Sequence, residues 1–133
     1  KPPPGTIIDL NQADTTELKK IPGIGSRIAR SIVNHRRLLG GFYQIEQLGE
    51  IRLKAEKLRS WFSVDAGKIH RININKASVE RMMHHPYISY YQAKVIAEYR
   101  KKKGKVRDLK QLMLYEEFTP ADFERMAPYV CYD

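Results

Sequence analysis

Apolar side chains recur at helical spacing along most of this chain. In the segment 26–39 they fall three or four residues apart and so share one face of a helix. The apolar residues on this face are Ile28, Ala29, Ile32 and Val33. Alternation of apolar and polar residues with a period of two is scarce, apart from the stretch RININ at 71–75. The pattern therefore predicts an all-α fold.

Capping and breaking residues place the ends of the first two helices. Asp14, with a glutamate three residues later, has the spacing of a capping box, so a short helix is predicted from there to about residue 20. Pro22 ends this helix, because the residue before a proline disfavours the helical conformation. A second helix is predicted over 26–39, and Gly40 terminates it. Two shorter helical segments are predicted farther along, at 45–48 and 53–61.

The chain contains an internal repeat. The segment 10–48 aligns with 74–112 at a constant offset of 64 residues and without a gap, and ten residues are identical between them. In the first copy these are Asn11, Ala13, Pro22, Ile24, Ala29, Ile32, Arg36, Gly40, Gln47 and Leu48. After an insertion of four residues, 122–133 is similar to 55–65. A repeat of this length indicates a duplicated structural unit.

The repeat predicts three segments. Residues 1–6 form the end of a Pro-rich linker, 7–66 the first helical unit and 67–133 a second, degenerate unit. A length of 133 residues is enough for two small units of this kind.

Two glycines lie just before the predicted long helix, Gly23 and Gly25 in the stretch KKIPGIGSRIAR at 19–30. Glycine lets a turn adopt conformations closed to other residues, and its missing side chain lets another backbone come close. The N–H groups of the turn and of the next helix then point outward, and the helix dipole adds to their attraction for an anion. A phosphate of a nucleic-acid backbone suits such a site.

The charge of the chain favours an anionic partner. Its 24 basic and 15 acidic residues leave a net charge of +9. Arg27, Arg30, Asn34 and Arg37 share the helix face opposite the apolar one, and no acidic residue occurs between 26 and 45. Alone, such a face is more often simply solvated; beside the glycine turn, it indicates phosphate contacts that position DNA without reading its sequence.

The candidate DNA-binding residues share a position on or beside this turn and its basic helix face, together with one lysine of the second copy. They are Gly23, Ile24, Gly25, Ser26, Arg27, Arg30, Lys19, Lys20 and Arg37 in the first unit and Lys94 in the second. The turn is expected to act through the N–H groups of Gly23, Ile24 and Gly25.

The second copy departs from the first where the phosphate would bind. Tyr87 and Ser89 replace the two glycines, and Glu98 adds a negative charge to the corresponding helix face. We expect the Tyr87 side chain to occupy the place where backbone approaches phosphate. The later segments 49–58 and 113–126, the second with two adjacent glutamates, are expected to complete the fold and not to grip DNA.

Other residues leave two interpretations open. Tyr87, Tyr90 and Tyr91 either stack on bases or, as is more usual, pack between helices. The basic run at 100–105 either contacts DNA or is simply solvated. His84 and His85 lack a convergent set of further metal ligands, so neither a metal nor another cofactor is predicted.

The first unit resembles a known family. LKKIPGIGSRIARSIV resembles the helix-hairpin-helix motif, and the longer pattern from DLNQAD through IPGIG to GGF resembles the ComEA-like DNA-uptake domain. The resemblance covers nearly the whole chain as two tandem copies. It implies a SAM-like helical fold that binds duplex DNA without sequence preference, and an extracytoplasmic role in capturing DNA, with a tether before residue 1. A few members hold a monovalent cation on the hairpin carbonyls, and the sequence leaves that open here.

No catalytic residue is predicted. DNA glycosylases with a similar hairpin need a carboxylate soon after it, whereas the next acid here is Glu46. No nucleotide-binding loop or zinc-protease motif appears. No apolar run approaches the roughly 18 residues of a membrane helix, so the chain itself is not expected to insert into a membrane.

A helical scaffold for protein–protein interaction is the alternative function. The degenerate second unit favours it, since that unit is then free to bind a protein partner. The acid-free basic face of the first unit argues against it.

Overall fold

The computed structural model describes residues 5–133, which are mostly helical, and confirms the predicted all-α class. The chain divides into two compact units: unit one ends at Ile69, and unit two is His70–Asp133. The predicted boundary lay three residues earlier. The predicted linker end falls largely on residues 1–4, outside the described residues.

Unit one contains strands β1 (Ile8–Asp9) and β2 (Phe62–Ser63), helices α1 (Thr15–Leu18), α2 (Ser26–Leu39) and α3 (Ala55–Leu58), and short 3-10 helices at Ile45–Ile51, Arg59–Trp61 and Ala66–Lys68. Unit two contains β3 (Ile72–Asn73) and β4 (Val130–Cys131), α4 (Val79–Met83), α5 (Tyr90–Lys103) and α6 (Pro120–Met126), and 3-10 helices at Leu109–Leu112 and Ala127–Tyr129. The bounds of α2 are those predicted, whereas α1 ends two residues early and the predicted 53–61 helix is shorter and divided.

A pair of two-residue parallel strands joins the start and end of each unit. Ile8 pairs with Phe62 in unit one, and Ile72 pairs with Val130 in unit two. Between the two units, Ile8 and Ile72 are offset by 64 residues, whereas Phe62 and Val130 are offset by 68. This difference confirms the insertion of four residues. The sequence did not predict these pairings, because two residues are too few to show an alternating pattern.

The asparagine at the start of the repeat forms two hydrogen bonds with the segment that follows the long helix. Asn11 Nδ2 donates to the Phe42 carbonyl at 2.9 Å, and its Oδ1 accepts from Phe42 N at 2.7 Å. Asn75 makes the same two bonds with Val106, both at 2.8 Å. The two asparagines therefore have the same structural role in both copies.

The repeated arginines are also structural. Arg36 Nη1 donates to the carbonyls of Leu10 at 3.0 Å and Ala13 at 2.7 Å. Arg100 donates in the same way to Ile74 and Ala77. Desolvation by burial lowers the pKa of Arg36. Its guanidinium is therefore committed to the fold, unlike the exposed arginines of the same helix.

Each unit buries its own apolar core. In unit one the fully buried side chains include Leu10, Leu18, Ile21, Ile32, Leu39, Phe42 and Leu48, and in unit two Ile74, Met82, Ile96, Leu112 and Tyr129. Gly40, at φ +89°, ends α2 in the left-handed conformation that was predicted for it. The cores fix the positions of the turns that connect the helices.

Candidate nucleic-acid interface

The turn between α1 and α2 is closed by two backbone hydrogen bonds. Ile21 N donates to the Leu18 carbonyl at 3.1 Å, and Ile24 N donates to the Ile21 carbonyl at 3.0 Å. Pro22 and Gly23 occupy the central positions of the second bond's turn, and Gly23 has φ +89°. This is the arrangement of a type II turn, in which the third residue needs a positive φ. The backbone itself therefore explains why position 23 is glycine.

Gly25 has no such explanation inside the molecule. Its φ of −95° and ψ of −173° are open to any residue. A Cβ added there would meet nothing within 4 Å. As the N-cap of α2 it offers no side-chain acceptor, so the N–H groups of the helix's first turn stay available to a ligand from outside. Neither the backbone nor the packing therefore requires a glycine at position 25.

The corresponding turn of unit two is closed by the same two hydrogen bonds, although Tyr87 lacks the positive φ of Gly23. His85 N donates to Met82, and Ile88 N to His85, each at 3.1 Å. At the N-cap of α5, the Ser89 hydroxyl accepts from Gln92 N at 3.1 Å, and the Gln92 side chain accepts from Ser89 N at 2.9 Å. This capping box occupies the N–H groups of Ser89 and Gln92, whereas Gly25 has no side chain to accept the corresponding N–H of Ile28 in unit one.

Tyr87 does not obstruct a phosphate, so the prediction made for it was wrong. The ring is buried, with centroids 5.3 Å from His85 and 5.6 Å from Tyr129, and the Arg125 guanidinium lies 4.9 Å from its centroid. Burial in this cluster stabilises the ring more than exposure at the turn would. The packing interpretation thus holds for Tyr87. It fails for Tyr90 and Tyr91, which are exposed.

A third hairpin with the same pair of backbone hydrogen bonds lies in the later part of unit two. Tyr115 N donates to Leu112 at 3.1 Å, and Phe118 N donates to Tyr115 at 3.2 Å. The sequence analysis treated this segment only as a completion of the fold. The repeat did not reveal the hairpin because its counterpart in unit one is four residues shorter and is closed differently.

This third hairpin is closed to phosphate by its own chemistry. Thr119, at the position of Gly25, caps α6 by accepting from Asp122 N at 3.2 Å, while the Asp122 carboxylate accepts from Thr119 N at 2.9 Å. The Thr119 N–H bond is the main cause of the lowered pKa of Asp122, which keeps that carboxylate charged. Glu116 and Glu117 add two more negative charges at the turn. The structure thus supports the expectation that this segment does not grip DNA.

Two lysines of unit one lie beside the glycine turn, although the sequence analysis did not select them. Lys54 and Lys57 line a cleft of about 250 Å³ together with Pro22, Gly23 and Ile28. The 3-10 helix before them ends at Arg52, whose φ of +66° reverses the chain direction. The signal was present in IRLKAEKLRS, a basic segment that we assigned only to the fold.

The predicted residues of unit one form one exposed surface, with one exception. Lys19, Lys20, Gly23, Gly25, Ser26, Arg27, Arg30 and Arg37 are all exposed. Ile24 is buried, and its N–H is used within the turn, so it cannot contact a phosphate as expected. Lys94 belongs to α5 of unit two, where its Nζ lies 6.0 Å from the Tyr90 ring centroid. The available turn donors are therefore Gly23, Gly25 and the start of α2.

An open groove of about 1010 Å³ runs beside the same turn. Lys19, Lys20, Gly23 and Gly25 line one side, and the segment 6–9 lines the other. Glu17 also lines it, so its walls carry charges of both signs. The groove brings the lysines before the turn to the same surface as the glycines.

The histidines of unit two have a structural role. His85 is buried, and its Nδ1 accepts from Tyr87 N at 3.0 Å. Within residues 5–133, no group of three or more His, Cys, Asp or Glu side chains is placed to hold a metal ion. No helix in the same range is both long and apolar enough to cross a membrane.

Comparison with known proteins gives one family. A family model described as the helix-hairpin-helix motif matches residues 4–59 and again 67–131. The relatives include proteins named endonuclease/exonuclease/phosphatase family domain-containing protein 1 from Xenopus laevis, Danio rerio and Homo sapiens, at 22%, 28% and 24% identity. Each alignment covers 90% of this chain and 26–27% of the relative, so the chain spans about a quarter of their length. No solved structure gives a significant match.

Proposed function

This chain belongs to the helix-hairpin-helix family, whose motif it carries twice, and from that premise we propose that it binds duplex DNA through backbone phosphates without reading base sequence. The observation that carries the proposal is the uncapped start of α2 at Gly25, where nothing inside the protein requires glycine. The other two hairpins with this hydrogen-bond pattern have a serine or a threonine at the same position, and its hydroxyl caps the following helix.

The exposed groups around Gly25 have different roles in the proposed binding of phosphates. N–H groups of Gly23, Gly25 and the first turn of α2 bind one phosphate, helped by the helix dipole. The side chains of Arg27 and Arg30 contact neighbouring phosphates, and Lys19, Lys20 and Arg37 extend the charged surface. Lys54 and Lys57 add a second edge beside the turn. Each such contact releases counterions and so makes binding dependent on salt.

We further propose that these hairpins hold DNA and perform no reaction on it. The exposed surface of unit one around the turn offers chiefly N–H groups, lysines and arginines, which are the groups that bind phosphate. The relatives are named for an endonuclease/exonuclease/phosphatase family domain, which is a property of those proteins. A DNA-holding role suits a segment that spans about a quarter of them.

The biological setting is proposed from the sequence pattern. DLNQAD, IPGIG and GGF follow one another as in the ComEA-like domain, which favours capture of incoming DNA outside the cytoplasm. The observation in favour of this setting is the pattern itself, and DNA binding does not depend on it.

A protein-binding role for unit two is the second candidate. At its third hairpin, Met113 is 66% and Leu114 94% exposed, next to Glu116 and Glu117. An exposed apolar tip beside two acids suits a partner with a basic and apolar surface. This role would leave the DNA surface of unit one unaffected.

Fluorescence anisotropy of a short labelled duplex across a salt series tests the main proposal. We expect affinity to fall steeply as salt rises, by about 0.9 log units per phosphate contact for each tenfold increase. Arg27→Ala and Arg30→Ala should each reduce this slope by about one contact.

Lys68→Ala is the matched control, because Lys68 is exposed in unit one but lines neither the cleft nor the groove. The proposal fails if both arginine variants keep the parent slope. Strong preference for one of several unrelated duplexes would also contradict it.

A further inference from the structure

Two adjacent tyrosines stand exposed at the start of α5 in unit two. Tyr90 is 46% and Tyr91 70% exposed. Their ring centroids are 5.4 Å apart with an interplanar angle of 73°, so they meet edge to face. At the repeat offset of 64 they occupy the positions of Ser26 and Arg27, two residues assigned to phosphate binding in unit one. Aromatic rings therefore stand where unit one has polar and charged groups.

The local fold is secured without these rings. Ser89 and Gln92 cap the helix, and Gln92 Nε2 also donates to the Glu117 carbonyl at 3.0 Å and to the Asp122 carboxylate at 3.2 Å. The aromatic core of the unit is formed by other rings, among them Tyr87 and Tyr129. Burying a tyrosine usually removes about 150–250 Å² from water, and this pair forgoes much of that gain. A ligand with flat apolar faces would recover it.

Positive charge follows the tyrosines along the same helix, interrupted by Glu98. Lys94 Nζ lies 6.0 Å from the Tyr90 ring centroid. The exposed Lys101, Lys102 and Lys103 end the helix, roughly 16 Å from Tyr91 at 1.5 Å per residue, and Lys105 follows. The partner that fits is an anionic chain with aromatic faces. A duplex fits poorly, because its bases already stack on each other and because the capping box occupies the N–H groups of Ser89 and Gln92.

We propose that the start of α5 binds single-stranded nucleic acid, with unpaired bases stacked on Tyr91 and Tyr90 and phosphates held by the lysines of α5. Every base presents a flat face, so this binding is tolerant of sequence. The inference rests on the proposed function in that both assign nucleic acid as the ligand. It differs in that unit two binds the single-stranded nucleic acid, whose bases are unpaired.

The test compares a labelled oligothymidine with a labelled blunt duplex, using the full chain and fluorescence anisotropy. The double variant Tyr90→Ala/Tyr91→Ala should bind the single strand at least about five-fold more weakly, because each lost base stack weakens binding by about that factor or more. Its duplex affinity should match that of the parent. Tyr90→Phe/Tyr91→Phe, which keeps the rings, should bind both ligands as the parent does.

Tyr43→Ala is the matched control, because Tyr43 is a tyrosine of unit one with 49% exposure. It should leave single-strand binding unchanged. A second measurement replaces thymine by 5-iodouracil and maps the photo-crosslinks, which should fall on Tyr90 or Tyr91.

Three results would overturn the inference: single-strand binding unchanged in the alanine variant, equal losses for single strand and duplex, or crosslinks confined to other segments. Gly25→Ser separates this inference from the proposed function, since it should weaken duplex binding and spare single-strand binding. If the parent protein bound the single strand but not the duplex, the role of Gly25 would be rejected and the tyrosine site would still be supported.

Discussion

Gly25, Ser89 and Thr119 occupy the same position in three hairpins that share one pattern of backbone hydrogen bonds. The hydroxyl residues each accept a hydrogen bond from the first helical turn, and a side chain three residues later completes a capping box. Glycine leaves those donors open. A single side-chain oxygen thus separates the uncapped helix start of unit one from the two capped helix starts of unit two.

Gly25→Ser should therefore convert the first hairpin toward the chemistry of the second. The new hydroxyl would accept an N–H of α2, as Ser89 does on α5, and stabilise the protein by a few tenths of a kcal/mol. Duplex affinity should fall, because the same N–H groups no longer face the phosphate. Chemical denaturation and anisotropy at one salt concentration measure the two effects.

Gly25→Ala is the matched control for that substitution, since it adds a Cβ without an acceptor. Open space surrounds the position, so a fold defect is not expected to confuse the result. If the serine and alanine variants lose affinity equally, the side chain acts by bulk and the donor argument is rejected. Unchanged affinity in both would remove Gly25 from the interface.

Capping also governs how the later elements respond to pH. Asp122 closes the capping box of α6, and its side chain also accepts from Gln92 Nε2 at 3.2 Å and Arg125 Nη2 at 3.1 Å. Its pKa is lowered in the folded protein, chiefly by the Thr119 N–H bond. A carboxylate with a lowered folded pKa stabilises the fold above its unfolded pKa of about 3.9. That stability is lost as pH falls through the folded pKa.

Asp122→Asn should accordingly reduce the free energy of unfolding at neutral pH by about 1 kcal/mol, the net scale of one hydrogen bond, because the amide keeps one acceptor oxygen but loses the charge and the other oxygen. The difference between variant and parent should shrink below about pH 4, where the carboxylate of the unfolded parent begins to protonate. Urea denaturation at several pH values measures it. Glu124→Gln removes an exposed charge from the same helix outside the capping box and is the control. A difference that stays constant into acid would contradict the assignment.

At the scale of the whole molecule, the proposed binding of a duplex by unit one does not follow from net charge. Lys1–Ile69 carries 12 basic and 7 acidic side chains, and His70–Asp133 carries 12 and 8. The net charges, +5 and +4, are nearly equal. What differs is the arrangement: an uncapped helix start among cations in unit one, and capped helices with Glu98, Glu116 and Glu117 in unit two.

Separated units test this arrangement, and each serves as the control for the other. Each unit buries its own core, so residues 1–69 and 70–133 should each keep their helical circular dichroism. The first fragment should retain most of the duplex affinity and of the salt slope, whereas the second should bind duplex weakly. Equal slopes would show that net charge alone drives binding.

Much of the fold and part of the candidate site could be predicted from the sequence. The bounds of α2, the cap at Asp14 and the stop at Gly40 follow from spacing within one or two helical turns, so they needed no tertiary information. The repeat at 64 residues likewise anticipated the matching roles of Asn11 and Asn75. The exposed basic surface followed from the position of the arginines around one helix.

Local sequence determined the helices, the duplication and the charged glycine turn, because hydrogen bonds to neighbouring residues set each of them. Tertiary structure alone decided that Tyr87 is buried while Tyr90 and Tyr91 are exposed, although all three are the same residue type within five positions. It also brought Lys54 and Lys57 beside Gly23 and revealed the hairpin at Leu112. Those outcomes depend on contacts with distant segments, such as Tyr87 with Tyr129, and spacing along the chain carries no record of them.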